Sequence, residues 1–369
     1  MIEKNLKKRD SYHQNVFVKL VENNFMPALI FTTLILNILI FSNLSAQIKL
    51  EKISEKMIYS PPPFKECHAS TILEVGEKKF LIASFGGSRE GNKDVSIWLS
   101  KSQNNNWSKP KMIDTGISLD GIDYPCWNPV LFKSNSGKLT LFYKVGPSPR
   151  EWWGMFKTSS DNGNNWSSST RLPDGILGPI KNKPIQLENG TIISPSSTEI
   201  KNDEGLSWKI HIEMSTDDGD NWKRIPIDQE TKFDVIQPSV LIHDGGKLQL
   251  LCRSRDNSLM QAYSYDNGLN WGKVTRTKLP NPNSGTDAIT LKNGYHLLVY
   301  NPLKNGGDDR KKLSVAISKN GIDWEDQIIL EEKKGFEFSY PAVIESSDGK
   351  IHISYTYNRK NIKHVVLTY

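Results

Sequence analysis

Five times along this chain a tryptophan closes the same short phrase. Ser-x-Asp-x-Gly-x-x-Trp stands intact at Ser159/Asp161/Gly163/Trp166, Ser215/Asp217/Gly219/Trp222 and Ser264/Asp266/Gly268/Trp271. A worn copy at the same spacing precedes them (Ser100, Ser102, Asn104, Trp107), and a copy one residue shorter follows (Ser318, Asn320, Gly321, Trp324). Successive tryptophans lie 59, 56, 49 and 53 residues apart, a period that belongs to propellers and solenoids and argues against one irregular core.

Each residue of the phrase has a physical task. Asp and Ser side chains accept hydrogen bonds from nearby backbone N–H groups, Gly supplies a positive φ, and Trp is large enough to fill the gap between two sheets. The phrase therefore reads as a hairpin turn with an anchor, and its Asp residues are assigned no catalytic or metal-binding chemistry.

A second repeat runs out of phase with the first. Two apolar strands flank a turn dipeptide in six segments: His68–Phe85, Asn128–Tyr143, Lys183–Ser194, Gln237–Leu251, Asp287–Tyr300 and Tyr340–Tyr355. The expected turns are Gly76-Glu77, Ser136-Gly137, Asn189-Gly190, Asp244-Gly245, Asn293-Gly294 and Asp348-Gly349. Six hairpins imply six blades of four antiparallel strands, with the Asp phrase between the third and fourth. The sixth blade runs out of chain at Tyr369, so Ile48–Tyr59 is expected to supply its outer strand and close the ring. Ten Trp, 26 Gly and 19 Pro suit this all-β reading.

Residues 1–46 read differently. Lys4, Lys7, Lys8, Arg9 and Lys19 precede an apolar stretch from Phe25 to Phe41 that ends in Ser42-Asn43-Leu44-Ser45-Ala46. This is the pattern of a signal peptide cleaved after Ala46, or of an uncleaved anchor helix held by residues 25–44. Either places a propeller of residues 47–369 outside the cytoplasmic membrane, periplasmic or extracellular, touching the membrane only through its N-terminal segment.

Cys67, Cys126 and Cys252 are odd in number and lie in apolar strands, so buried small hydrophobes are expected. No HExxH, calcium-loop or phosphate-loop pattern occurs, so no metal and no cofactor is expected. The formal charge of +6 is modest and its lysines and arginines are scattered, which gives no nucleic-acid footprint.

In a propeller the first strand of each blade lines the axis, so the hairpin openings His68, Asn128, Lys183, Gln237, Asp287 and Tyr340 should converge at one end. With Arg253 and Arg310 this ring is cationic and suits a carboxylate. An acidic oligosaccharide or glycoconjugate is the expected partner, with Trp98, Trp127, Trp152 and Trp153 as candidate stacking faces.

The Asp phrase at this period, on six hairpins, resembles the sialidase (neuraminidase) superfamily, and the likeness extends over residues 60–369. That family holds a substrate carboxylate with three arginines, uses an Asp as acid/base, and uses a Tyr activated by a Glu as nucleophile. The resemblance implies Arg253 and Arg310 as two of the arginines and Tyr340 as the nucleophile. It also implies Arg89 and Asp94 as the accessory arginine and the acid on the loop 85–94. His68 stands where the first arginine is expected, and Gln237 where the Tyr-activating Glu is expected; Gln cannot take a proton. Glu337, Asp287, Glu199 or another carboxylate is then the substitute base, or the mechanism departs from a standard retaining sialidase. The expected function is an exported sialidase-like glycosidase with catalytic Asp94, Tyr340 and His68. Its substrate-binding set is Arg89, Arg253, Arg310, Gln237, Lys183, Asn128 and Asp287. The alternatives are a uronic-acid polysaccharide hydrolase or lyase, and a propeller that binds glycans without turnover.

Overall fold

The Asp phrase folds as a closed hydrogen-bonded turn. In the second blade Ser159 Oγ donates to Asp161 Oδ1 (2.8 Å) and accepts from Gly163 N (2.9 Å), while Asp161 accepts from the N–H and the side-chain amide of Asn165 (2.8 and 2.7 Å). Those donors pull the Asp161 carboxyl down to about 2, leaving it ionised and its lone pairs taken. The same bonds recur around Asp217 and Asp266. The fourth residue beyond the Asp is the partner here, a wider loop than a two-residue Asx turn. Gly163 has φ 82°, and a Cβ there would stand 2.7 Å from Leu81 of the preceding blade.

A computed structural model describes residues 48–369 except 104–105, 118–120, 204 and 231–232; the expected export or anchor segment, residues 1–46, lies outside the described residues. Leu50–Tyr369 form an all-β, six-bladed propeller of antiparallel blades. Blade 1 is Glu66–Gly76, Lys79–Gly87 and Ser96–Gln103, with its outer strand split into Asn106–Trp107 and Lys111–Asp114. Blade 2 is Cys126–Lys133, Leu139–Val145, Trp153–Ser159 and Thr170–Arg171; blade 3 is Ile185–Gln186, Ile192–Asn202, Gly205–Ser215 and Lys223–Pro226. Blade 4 is Val235–Ile242, Leu248–Ser254, Ser258–Ser264 and Thr275–Pro280; blade 5 is Asp287–Thr290, His296–Tyr300, Lys312–Ser318 and Glu325–Glu332. Blade 6 is Phe338–Glu345, Ile351–Tyr357 and Asn361–Thr368, completed by Glu51–Met57.

That last strand pairs antiparallel with the C-terminal one, Glu51 opposite Thr368 and Met57 opposite Lys363. The ring thus closes with strands from both ends of the described chain, as the sixth blade's shortage of strands required, and Asn361–Thr368 is not left as an open outer edge. The first hairpin turn sits one residue later than expected: Gly76 pairs with Lys79, and Glu77-Lys78 form the turn with Lys78 at φ 54°.

The apolar core lies between blades. Ile193, Ile212 and Met214 of blade 3 pack with Val240, Leu250 and Met260 of blade 4, and Leu81, Ala83 and Leu99 of blade 1 pack with Leu131, Leu141 and Tyr143 of blade 2. Phrase tryptophans insert at these seams; Trp222 of blade 3 lies edge-on to Phe142 of blade 2, with centroids 6.1 Å apart. Cys67, Cys126 and Cys252 are buried free thiols within this packing.

The inner strands are stitched together by side-chain acceptors. Thr71 Oγ1 accepts from Leu131 N, Ser197 Oγ from Gln237 N, Ser239 Oγ from Ala288 N, Asp287 Oδ2 from Val343 N, and Thr356 Oγ1 from Ala69 N. These bonds satisfy backbone groups that turn toward the axis.

Candidate functional site

Four inner strands open with the same irregularity. Pairing slips between His68 and Thr71, Trp127 and Val130, Ile236 and Ser239, and Ser339 and Ala342. The bulged residue in each has positive φ: Ala69 at 54°, Asn128 at 38°, Gln237 at 54° and Tyr340 at 51°. A bulge re-aims a side chain, and four left-handed non-glycine residues at one end of a ring mark a strained, site-like neighbourhood. By this register Ala69, not His68, stands equivalent to Asn128, Gln237 and Tyr340. His68 is displaced by one residue.

Tyr340 is the hub. Arg253 Nη1 donates to its hydroxyl at 2.6 Å, and Gln237 Nε2 lies 3.4 Å from the same oxygen. Lys181 Nζ, Arg253 Cζ and Arg310 Cζ lie 5.8, 5.7 and 5.6 Å from its ring centroid, and the His68 ring lies 4.1 Å away. Arg253 is buried, and burial lowers its pKa, with Tyr340 opposing that shift. Its Nε and Nη1 are committed to Asn283 Oδ1 (2.8 Å), Gln237 Oε1 (3.2 Å) and Tyr340.

A third guanidinium comes from Arg359, just past the last inner hairpin. Arg310 Nη1 and Arg359 Nε donate to the two oxygens of Glu337 at 2.9 and 2.8 Å, and Ser339 Oγ donates to the same carboxylate at 2.7 Å. Burial would raise the Glu337 carboxyl, but the Arg310 and Arg359 guanidiniums outweigh it and hold it well below the carboxylate range. Arg359 Nη1 also reaches Glu90. This pair fastens the loop of blade 1 to the site.

The other expected residues are placed as follows. His68 is 2% exposed, with Nδ1 2.9 Å from Thr356 Oγ1, and its burial drives the imidazole pKa well below its usual value. Asp94 is exposed at the end of the Glu90 loop, with its oxygens 2.8 Å from Ser88 N and Ser88 Oγ. Arg89 is exposed on the same loop, and Asn128 is buried at its bulge. Lys183 Nζ and Asp287 Oδ2 form a 2.6 Å ion pair; Asp287 also holds Val343 N and Ser239 Oγ, so it struts blades 4 to 6. Of the carboxylates considered as a base, Glu337 is committed to arginines. Glu199 has a pKa raised by burial, against which Arg253 pulls it down.

Sequence reasoning missed Arg359 and Lys181. Lys181 Nζ is fully buried on Asn182 Oδ1 (2.8 Å), Thr286 O (2.9 Å) and Pro341 O (2.6 Å), and burial brings its pKa down to about 7. Gly285 leaves room for it, since a Cβ there would stand 2.9 Å from Lys181 Cε. The signal for Arg359 was topological: the second strand of each inner hairpin returns to the axial mouth, and Tyr357-Asn358-Arg359 is where the last one returns. Among the described residues no His, Cys, Asp and Glu cluster could hold a metal ion.

Residues 78–353 match the family described as BNR repeat-like domain. No curated protein matches the sequence. Among solved structures, a protein of unknown function from Dyadobacter fermentans shares 15% identity over 87% of this chain and 100% of its own, with a TM-score of 0.71. A NanB sialidase variant from Streptococcus pneumoniae shares 12% over 85% of this chain and 70% of its own, at 0.66. The intramolecular trans-sialidase from Ruminococcus gnavus, solved with oseltamivir carboxylate, shares 14% over 86% and 98%, at 0.64.

Proposed function

The chain belongs to the BNR repeat-like domain family, and from that premise we propose that it is a sialidase-like glycoside hydrolase acting on a glycan with an acidic terminal sugar. The observation that carries the reading is the Tyr340 hydroxyl held 2.6 Å from Arg253, with Arg310 beside its ring and Arg359 paired with Arg310 through Glu337. A guanidinium has five donors. Protein acceptors take two from Arg310 and two from Arg359, and Arg253 turns its Nε and Nη1 inward, so N–H groups remain for a ligand carboxylate. In this reading the arginines hold the acid, Tyr340 faces the anomeric carbon, and the loop of Arg89, Glu90 and Asp94 lies on the leaving-group side, with Asp94 as proton donor. Arg253 cannot accept the phenol proton, so Tyr340 keeps it and turns an Oη lone pair toward the oxocarbenium-like carbon, with Arg253 fixing the oxygen in place. The N-terminal segment supports export, so we place the activity outside the cytoplasm.

A second reading has its own observation. Gln237, not a carboxylate, is the uncharged neighbour of Tyr340 Oη, which favours a propeller that binds acidic glycans without turning them over. A panel of acidic aryl glycosides and uronic-acid polysaccharides, tested on the wild type, Tyr340→Phe and Arg253→Ala, separates these readings. Hydrolysis of a sialoside or related acidic glycoside that falls by orders of magnitude in both variants supports the hydrolase. Unsaturated products identify a lyase, and calorimetric binding without products identifies the silent propeller. Hydrolysis that survives both substitutions refutes the site.

A further inference from the structure

We propose that a cavity between the outer strands of blades 1 and 2 is a second sugar-binding site, taking a neutral hexopyranose unit of the glycan whose acidic end occupies the Tyr340 site. It rests on the reading above for the acidic end alone. The cavity measures about 520 Å³ and is lined by Asp114, Tyr124, Tyr143, Trp153, Ser169 and Arg171, among others. That volume lies within the range of small-ligand sites, roughly 300–1,000 Å³.

Strand register puts this cavity at the same end of the propeller as Tyr340. In blade 2, Trp153 pairs with Val145, which pairs with Cys126, two residues before the bulged Asn128. In blade 1, Asp114 pairs with Ile97, which pairs with Phe85, which pairs with His68. The cavity residues are therefore level with the axial mouth and outward from it. A row of aromatic contacts spans the interval: Tyr340 to His68 (4.1 Å), His68 to Phe85 (5.7 Å), Phe85 to Trp127 (6.2 Å) and Trp127 to Trp152 (6.0 Å). Trp153 is the next residue, edge-on to Tyr124 at 5.3 Å.

The lining has the chemistry of a neutral sugar site. An indole beside a phenol offers a stacking wall for the C–H face of a pyranose. Asp114 Oδ2 takes Tyr143 Oη (2.9 Å), Lys157 Nζ (2.9 Å) and Ser169 Oγ, so its charge is balanced within the protein. Its other oxygen has no partner among the described residues and can accept from a sugar hydroxyl. Arg171 lies 5.3 Å from the Trp153 ring, and its side chain is 58% exposed with the exposed Asp174 as its one ion partner among the described residues, so its remaining donors are open to a ligand. A carboxylate acceptor beside an arginine donor fits a hydroxylated ring; a second acidic sugar would meet Asp114.

Saturation-transfer NMR with lactose, cellobiose and N-acetyllactosamine tests the site without needing turnover. Transfer to at least one of them from the wild type is expected, and its loss in Trp153→Ala and in Arg171→Ala. Arg171 is exposed, so that variant tests the site if the tryptophan change unfolds the seam. By calorimetry the disaccharide that shows transfer should bind both variants roughly three- to tenfold more weakly, in line with one lost contact. Free N-acetylneuraminic acid should bind all three proteins alike. No transfer from any of the three disaccharides, or transfer unchanged in both variants, overturns the proposal. Disaccharide contact in a protein that neither binds nor cleaves any acidic glycoside supports this site and removes the Tyr340 reading.

Discussion

Glu337→Gln should destabilise the fold and at the same time create an anion-binding site. The wild-type carboxylate takes Arg310 Nη1 and Ser339 Oγ on one oxygen and Arg359 Nε on the other. The amide oxygen can keep Arg310 and Ser339, but the amide nitrogen then faces Arg359 Nε, donor against donor, and the two guanidiniums lose their shared counter-charge. One charge-assisted hydrogen bond lost at a site about a quarter exposed costs about 2–3 kcal/mol. For a domain of this size that lowers Tm by roughly 3–5 °C. The freed arginines should bind a small carboxylate: with 100 mM acetate and a Kd of about 10 mM, the variant regains about 1.4 kcal/mol. The wild type, where Glu337 takes part of those donors, keeps fewer of them open and should respond more weakly. Differential scanning fluorimetry of both proteins in an acetate series, at constant ionic strength, reads both effects. A variant that melts within about 1 °C of the wild type, or acetate that raises both proteins equally, would refute the reasoning.

Buried histidines give a pH test. His352 and His364 stack with Nδ1 and Nε2 3.0 Å apart, and burial brings their pKa values down to about 4 and about 3. Folded values below the unfolded 6.5 mean that the neutral forms are favoured. Stability is full above about pH 6.5 and falls as pH drops toward 4, by up to about 1.4 kcal/mol per unit for each histidine. His364→Gln should flatten that slope in melts between pH 7 and 4, and an unchanged slope counts against the pair. Gly268→Ala places a Cβ at φ 85° and 3.1 Å from Ile193 of the neighbouring blade, so a loss of about 1–3 kcal/mol in urea titration is expected. Removal of residues 1–57 strips the strand paired with Asn361–Thr368 and should lower Tm and expose the edge to aggregation. A truncated protein that melts like the full chain and stays monomeric by light scattering would show that closure contributes little.

Much of the fold was legible because its devices are local. Ser215, Asp217, Gly219 and Asn221 make one turn from seven consecutive residues, so their spacing announces it wherever the loop lies. The missing strand of the sixth blade was legible by counting, and Glu51–Met57 fills it. The mouth was legible in part. The convergence of hairpin openings brings Gln237 and Tyr340 together, and Arg253 and Arg310 join them. Lys183 and Asp287 also meet, but as an ion pair between blades.

What stayed hidden depended on bulges and on pairs far apart in the chain. One bulge places Ala69 where alternation alone points to His68, since adding a residue to a strand reverses every side chain beyond it. Lys181 reaches Pro341 and Arg359 reaches Glu90 across separations of 160 and 269 residues, distances over which no periodicity carries information. Sequence alone determined the repeat, the strand count and the turn chemistry, because those follow from backbone conformations within a few residues. The tertiary structure decided which charges face one another at the axis and which are neutralised there, because that is settled by side-chain direction and burial once six separate segments close into one ring.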